Sequence, residues 1–254
     1  MLLVPKLVTT AWLAAHLADP HLVILHVGRP DSFAHHIAGA QRTDLMILSV
    51  NAGGPSYDST ALAVEMLPPD VLRARLESYG ISDSSTLVVY AATETDNAVT
   101  SATRIVFTLR VAGLGAHAAL LDGGLAAWSA EGRPLTDVVS QATPGHITAT
   151  TAPSLVVDAN WVQSHLKSPG IVVIDAAGKV KSPSALQALF RSVGAAPGDT
   201  VVAYCHVGMQ ATAVLFAADQ IGYPARLYDG SFEDWSQRKE LPVVDPAARS
   251  TKSK

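Results

Sequence analysis

The sequence predicts an α/β protein built twice over, each half an open, mostly parallel sheet flanked by helices. Three observations predict it. Short apolar runs of buried-strand type alternate with helical segments along the whole chain. The chain matches itself block by block, the mark of an internal repeat. Its 254 residues, 48% hydrophobic and 16% charged, suffice for two cores and are too apolar for a disordered chain.

The elements follow in order. In LVTTAWLAAHL (7–17), Thr9 or Thr10 caps a helix whose inner face carries Trp12, Leu13 and Leu17. ILHV, TLVVY and AALLD read as the parallel strands of the first half, and DVLRARLESYG (70–80) as a helix closed by glycine. In the second half VVIDA, TVVAY and ARLYD are the strands. SALQALFRSVG (184–194) is a helix opened by Ser182-Pro183-Ser184 and again closed by glycine. This β-α-β alternation specifies an open parallel sheet, and ligands of such sheets bind at the carboxyl ends of the strands.

The repeat locates a difference between the halves. LVTTAWLAAHL matches VVDANWVQSHL (156–166) and LVILHV (22–27) matches IVVIDA (171–176), both at an offset of 149. The offset is 114 for STLVVY (85–90) against DTVVAY (199–204), and 107 for LLDGGLAAW (120–128) against LYDGSFEDW (227–235). The second half is therefore expected to be shorter by about 35 residues between its second and third blocks. Expected boundaries are 1–140 and 152–245, with a linker at 141–151 and a tail at 246–254.

Composition narrows the function. A net charge of −4 gives no general attraction to nucleic acid or anionic lipid, and the KSK end reads as a solvated tail. The start has no basic n-region, and no run is long enough to span a membrane. A single cysteine cannot form an internal disulfide, which fits a reducing compartment. The expectation is a soluble, cytoplasmic protein without nucleic-acid or membrane partners. The histidines His26, His35 and His36 have no H-x-x-x-H spacing or cysteine partner, so they are expected as surface or loop residues and no metal or cofactor is predicted.

That one cysteine, Cys205, ends the strand TVVAY, and the loop Cys205-His206-Val207-Gly208-Met209-Gln210 enters a helix near Ala211. A loop around a helix N-terminus directs backbone N–H groups inward, where they favour a thiolate or a bound anion. Gly208 permits a positive φ or a close approach. Spacing alone leaves two readings open, a catalytic thiol and a small buried side chain. Phosphoryl transfer is disfavoured, since Ala211 stands where a C-x-x-x-x-x-R phosphatase needs its arginine.

YCHVGMQATAVLFAA, LYDGSFEDWS, LLDGGLAAW and HHIAGA (35–40), taken in order, resemble the tandem-domain rhodanese family of thiosulfate and 3-mercaptopyruvate sulfurtransferases. The resemblance runs over nearly the whole chain and implies two rhodanese-like domains, the first silent, with Ala91 where the second has Cys205. It implies that Cys205 takes the outer sulfur of a small anionic donor as a persulfide and passes it to cyanide or a thiol. His206, Val207, Gly208, Met209, Gln210 and Ala211 would form the cradle, with Asp175 and Asp229 in support. Thiosulfate is the first-choice donor and 3-mercaptopyruvate the alternative; HVGMQ matches neither branch's cradle. A third implication is a degenerate, non-catalytic rhodanese that binds an anion or a protein.

The departure from that family falls in the same gap. IVVIDAAGKVKSPSALQALF runs straight from strand to helix, with Ala177 about where the family places a donor-binding arginine. Losing such a charge-assisted contact is worth roughly 1.5–3 kcal/mol, with Lys179, Lys181 and Arg191 as candidate substitutes. The missing family strand is an edge strand, so its neighbour is expected to become the edge. Trp128 and Trp235 are expected as core anchors, Asp122-Gly123 and Asp229-Gly230 as turns, and ETDN (94–97) as a solvated loop.

Overall fold

The computed structural model describes residues 4–51, 58–93, 95–176 and 183–243. The first half contains β1 (Leu7–Val8), α1 (Thr10–His16), β2 (Leu22–Val27), β3 (Gln41–Thr43), β4 (Ser49–Val50), β5 (Glu65–Met66), α2 (Pro69–Ser78), β6 (Thr86–Ala91), α3 (Asp96–Val111), β7 (Ala118–Leu121) and α4 (Gly124–Ala130). The second contains β8 (Val156–Val157), α5 (Ala159–His165), β9 (Ile171–Asp175), α6 (Pro183–Ser192), β10 (Thr200–Tyr204), α7 (Ala211–Gln220), β11 (Ala225–Tyr228) and α8 (Ser231–Gln237).

Two parallel sheets result. The first has the order β1-β7-β6-β2-β3 and the second β8-β11-β10-β9, while β4 and β5 form a separate antiparallel pair. The second order repeats the first without an outer neighbour for β9 among the described residues, where β3 flanks β2 in the first. Ala177, Lys179, Lys181 and the tail 246–254 lie outside those residues. Arg191 is exposed in the last turn of α6.

Period-two burial gives each sheet two apolar faces. In the first half α1 and α4 cover one face through Leu13 and Trp128 against Ile24, Val88 and Tyr90. The other face carries Leu76, Leu87, Val89 and Ile105. Local chemistry sets the helix starts. Thr9 accepts the Trp12 N–H at 3.1 Å, and Asp158 accepts the matching Trp161 N–H at 2.7 Å. Both tryptophans at the ends of the repeat donate to a proline carbonyl, Trp128 to Pro134 and Trp235 to Pro242, each at 3.0 Å. Trp128 is an anchor at 1% exposure, but Trp235 is only half-buried.

The histidine expectation needs correction, because His26 and His36 are fully buried. Alternation along β2 turns His26 inward, where Tyr90 Oη and Ser32 Oγ meet its two ring nitrogens at 2.8 and 3.0 Å. Burial, with nearby His36 and Arg42, lowers its pKa to about 4. His36 stacks on Phe33 and meets the Phe33 carbonyl at 2.8 Å. His35 remains exposed.

The halves interlock through α3 and α7. Ala102–Gly113 matches Ala211–Gly222 at an offset of 109, and repeat-related residues meet across the seam. Thr103 Oγ1 lies 3.1 Å from Thr212 Oγ1. Phe107 of α3 enters the second core, while its counterpart Phe216 of α7 enters the first. Asp219 of α7 binds Lys6 at 2.8 Å and Arg110 at 3.3 Å, both from the first half. The segment expected to link the halves is strapped to the first. Its Gly145 and Ile147 N–H groups donate to Glu77, those of Thr148 and Ala149 donate to Asp83, and Ile147 is buried.

Candidate active site

Strand β10 runs through the centre of the second core and delivers Cys205 just past its last residue, 4% exposed. The free thiol group belongs to the apolar cluster on the α6 and α7 face. Its backbone is pinned on both sides. The Cys205 N–H donates to Ser231 Oγ at 3.2 Å, and the Cys205 carbonyl accepts the Phe232 N–H at 3.0 Å. The next carbonyl, of His206, accepts the Glu233 N–H at 3.1 Å. Ser231 donates in turn to the Tyr228 carbonyl at 2.9 Å. It holds this double contact at φ 51°, a strained setting for a residue other than glycine.

The loop curls into α7 with its carbonyls engaged. Met209 accepts from the Thr212 N–H and Oγ1, and Gln210 accepts from the Ala213 N–H. Among the described residues, none of the N–H groups of His206, Val207, Gly208, Met209, Gln210 and Ala211 donates to a protein acceptor. Six consecutive uncommitted donors at the start of a ten-residue helix make an anion-holding nest. His206 and Gln210 are exposed, while Gly208 and Ala211 are buried.

Gly208 explains itself at φ 76°. A Cβ there would lie 2.7 Å from the Asp229 carbonyl and 3.0 Å from both Asp229 Oδ1 and Arg104 Nη1. The loop therefore rests directly on an ion pair. Arg104, on α3 of the first half, is 1% exposed, and its Nη1 meets Asp229 Oδ1 at 2.5 Å. This is a charge contact that misses hydrogen-bond alignment. The same nitrogen donates to the Gly208 carbonyl at 3.3 Å, and Nη2 donates to the Val64 carbonyl at 3.0 Å. Asp229 Oδ2 accepts the Met66 N–H at 3.0 Å.

Glu65, on β5, completes the cluster. Burial, reinforced by the Asp229 carboxylate and offset in part by Arg104, raises its pKa to about 7. Its Oε1 is buried without a partner among the described residues. A cavity of about 650 Å³ opens on this seam, lined by Glu65, Trp161, Arg226, Tyr228, Asp229 and Arg238.

The sequence-predicted residues divide accordingly. Cys205 through Ala211 form one loop, and Asp229 lies under it as half of a buried pair rather than in an open turn like exposed Asp122. Asp175 is not brought to the loop. It pairs in register with Tyr204, and strand alternation sends both to the opposite sheet face from Val172 and Ile174. There Asp175 and Tyr204 line a cavity of about 560 Å³ with Val173, Tyr228, Phe232 and Trp235. ETDN is partly structural as well. Thr95 caps α3, accepting from the Ala98 N–H, and Asn97 lines a cavity of about 350 Å³ in the first half; Glu94 lies outside the described residues.

Sequence reading missed Ser231, Arg104 and Glu65. The repeat held a signal for the first, because Ser231 stands opposite Gly124 in LLDGGLAAW, and both have positive φ. A Cβ at Gly124 would approach the Ala91 carbonyl to 2.8 Å, whereas the Ser231 hydroxyl instead accepts from Cys205. No local pattern marked the other two.

Comparison with known proteins agrees with this architecture. Residues 155–238 match the Rhodanese-like domain family model. A probable 3-mercaptopyruvate sulfurtransferase of Pseudomonas aeruginosa is 28% identical, covering 94% of this chain and 98% of its own length. The thiosulfate sulfurtransferase of Cricetulus griseus is 27% identical over 90% of this chain and 91% of its own. The crystal structure of SseA from Escherichia coli superposes with a TM-score of 0.75 at 23% identity, covering 90% of this chain and 99% of that one, which shows a shared fold. Two repeated parallel-sheet units, a loop built around the one cysteine of the second, and these relatives along nearly the full length make the chain similar to the tandem-domain rhodanese sulfurtransferases, with a rhodanese-like domain over residues 155–238.

Proposed function

We propose that this protein is a sulfurtransferase that carries sulfane sulfur as a persulfide on Cys205. The uncommitted N–H groups from His206 to Ala211, at the mouth of the strand that delivers the only cysteine, carry the reading. With thiosulfate as donor, the Cys205 thiolate attacks the outer sulfur. A new S–S bond forms to Cys205, the donor's S–S bond breaks, and sulfite leaves with the electron pair. Cyanide or a thiolate then attacks the outer persulfide sulfur and takes it, and the Cys205 thiolate is released. The persulfide is anionic, and the amide donors stabilise it as they would a thiolate.

The relatives favour a second donor as well, since a probable 3-mercaptopyruvate sulfurtransferase aligns over 94% of the chain. With 3-mercaptopyruvate the C–S bond breaks and pyruvate leaves as its enolate. Mass spectrometry after incubation with each donor tests both readings. The expected result is a gain of one sulfur atom, removable by cyanide and absent from Cys205→Ala. No gain from either donor would leave the non-catalytic binding reading in its place. Within the described residues no helix is long and apolar enough to cross a membrane. A reducing, cytoplasmic setting fits a carrier with one free thiol.

A further inference from the structure

The gap in the repeat leaves a cavity on the sheet face opposite the thiol. This is the cavity of about 560 Å³ that lies over β9, β10 and β11, between α5 and α8. The offsets 149, 114 and 107 pair its walls with residues of the first half: Val173 with Ile24, Asp175 with His26, Tyr204 with Tyr90 and Trp235 with Trp128. In the first half the same space is full. Phe33, Ile37 and Ala40 close it; the Ile37 N–H donates to Tyr90 Oη at 3.2 Å, and the Phe33 ring meets His26 edge-on at 5.0 Å between centres. All three fillers belong to the stretch that follows β2, and the repeat gives the second half no counterpart of it. The walls stand without their filling.

The walls also differ in kind. Leu121 and Leu125 of the first half correspond to Tyr228 and Phe232, which join Tyr204 and Trp235 around the space. Tyr228 and Trp235 meet edge to face, 6.3 Å apart at 70°. Their polar ends are engaged elsewhere, Tyr228 Oη with Asp234 at 2.9 Å and Trp235 Nε1 with the Pro242 carbonyl at 3.0 Å, which leaves ring surface to the cavity. Asp175 is the one carboxylate among the described lining residues, and no lysine, arginine or histidine stands with it. Burial, and then this carboxylate, raise the Tyr204 pKa, so the tyrosine faces the cavity as a neutral ring. Aromatic faces carry partial negative charge, so the rings and the carboxylate favour the same kind of guest. The volume suits a small molecule. We infer that this cavity binds a small organic cation, an alkylated ammonium with an apolar body, its charge beside Asp175 and its alkyl groups against the rings. An alkylated ammonium gives up less hydration than a bare one on entering such a site. The inference stands apart from the sulfur chemistry of Cys205.

Fluorine NMR of the fluorotryptophan-labelled protein tests the site, with the Trp235 resonance assigned from Trp235→Phe. Benzyltrimethylammonium is expected to shift that resonance saturably, with a Kd of about 1 mM or tighter. Dimethylbenzylcarbinol has nearly the same shape without the charge and is expected to bind about ten-fold more weakly. Phe232→Leu, which restores the first half's residue at the rim, should weaken cation binding about five-fold, and Asp175→Asn about three-fold. Both positions are exposed, so both variants are expected to fold. The inference is overturned by a Trp235 resonance that shows no saturable shift, or by a carbinol that binds within about two-fold of the cation. It is overturned equally if both variants keep the affinity within about two-fold. Sedimentation adds one more outcome: a dimer that Phe232→Glu dissociates would make this rim an interface between copies and overturn the cation site.

Discussion

Ser231 concentrates the residue-scale chemistry, because one hydroxyl closes a chain of contacts from Tyr228 to the Cys205 backbone. Ser231→Ala removes the acceptor and leaves a buried N–H unpaired, at a cost of about 1–3 kcal/mol. Ser231→Gly loses the same acceptor but relieves the positive φ, which is worth about 1–2 kcal/mol. Both variants are expected to slow sulfur transfer about equally, and chemical denaturation should find the glycine variant the more stable. Full turnover in folded Ser231→Ala would show that the hydroxyl is irrelevant to the loop. The loop itself was legible in the sequence because everything that defines it is contiguous: a strand, a cysteine, a glycine and a helix start. Ser231 was legible only by setting the two copies side by side. His26 was misread because a strand's inward histidine looks like any other until Tyr90 and Ser32, far apart in sequence, supply its two partners.

At the scale of elements, α3 and α7 decide how the two sheets meet. Phe216 leaves its own domain to fill the first core among residues such as Ile105 and Leu109. Phe216→Ala is expected to cost about 3–5 kcal/mol, and to lower the stability of both halves in one transition. Two separate unfolding steps, with the first half unaffected, would show that the aromatic exchange does not couple them. The strand and helix assignments followed from periodicity alone, since burial imposes period two on strands and 3.6 on helices. The seam did not. Arg104 to Gly208 and Met66 to Asp229 span 104 and 163 residues, and no local window contains both partners. The unpaired outer side of β9, among the described residues, contrasts with β2, which β3 covers.

For the whole molecule, the interface is a titrating element. Glu65 shares a buried site with Asp229, and the charge of Arg104, which contacts Asp229, offsets their repulsion only in part. Its folded pKa, raised from its ordinary value of 4.5 to about 7, means the folded state binds this proton more tightly than the unfolded chain. Its contribution is therefore full below about pH 4.5 and is lost as pH rises through about 7. Glu65→Gln should flatten that part of the stability profile and leave the variant the more stable at pH 8. An unchanged slope in thermal melts across this window would remove Glu65 as its source. The half without the cysteine supplies the buried cation and the titrating carboxyl at this seam. The central claim remains the sulfur on Cys205, and steady-state thiocyanate formation tests it most directly. With thiosulfate and cyanide varied together, a covalent carrier predicts parallel double-reciprocal lines and no activity in Cys205→Ser. Intersecting lines, or thiocyanate still formed by Cys205→Ser, would contradict it.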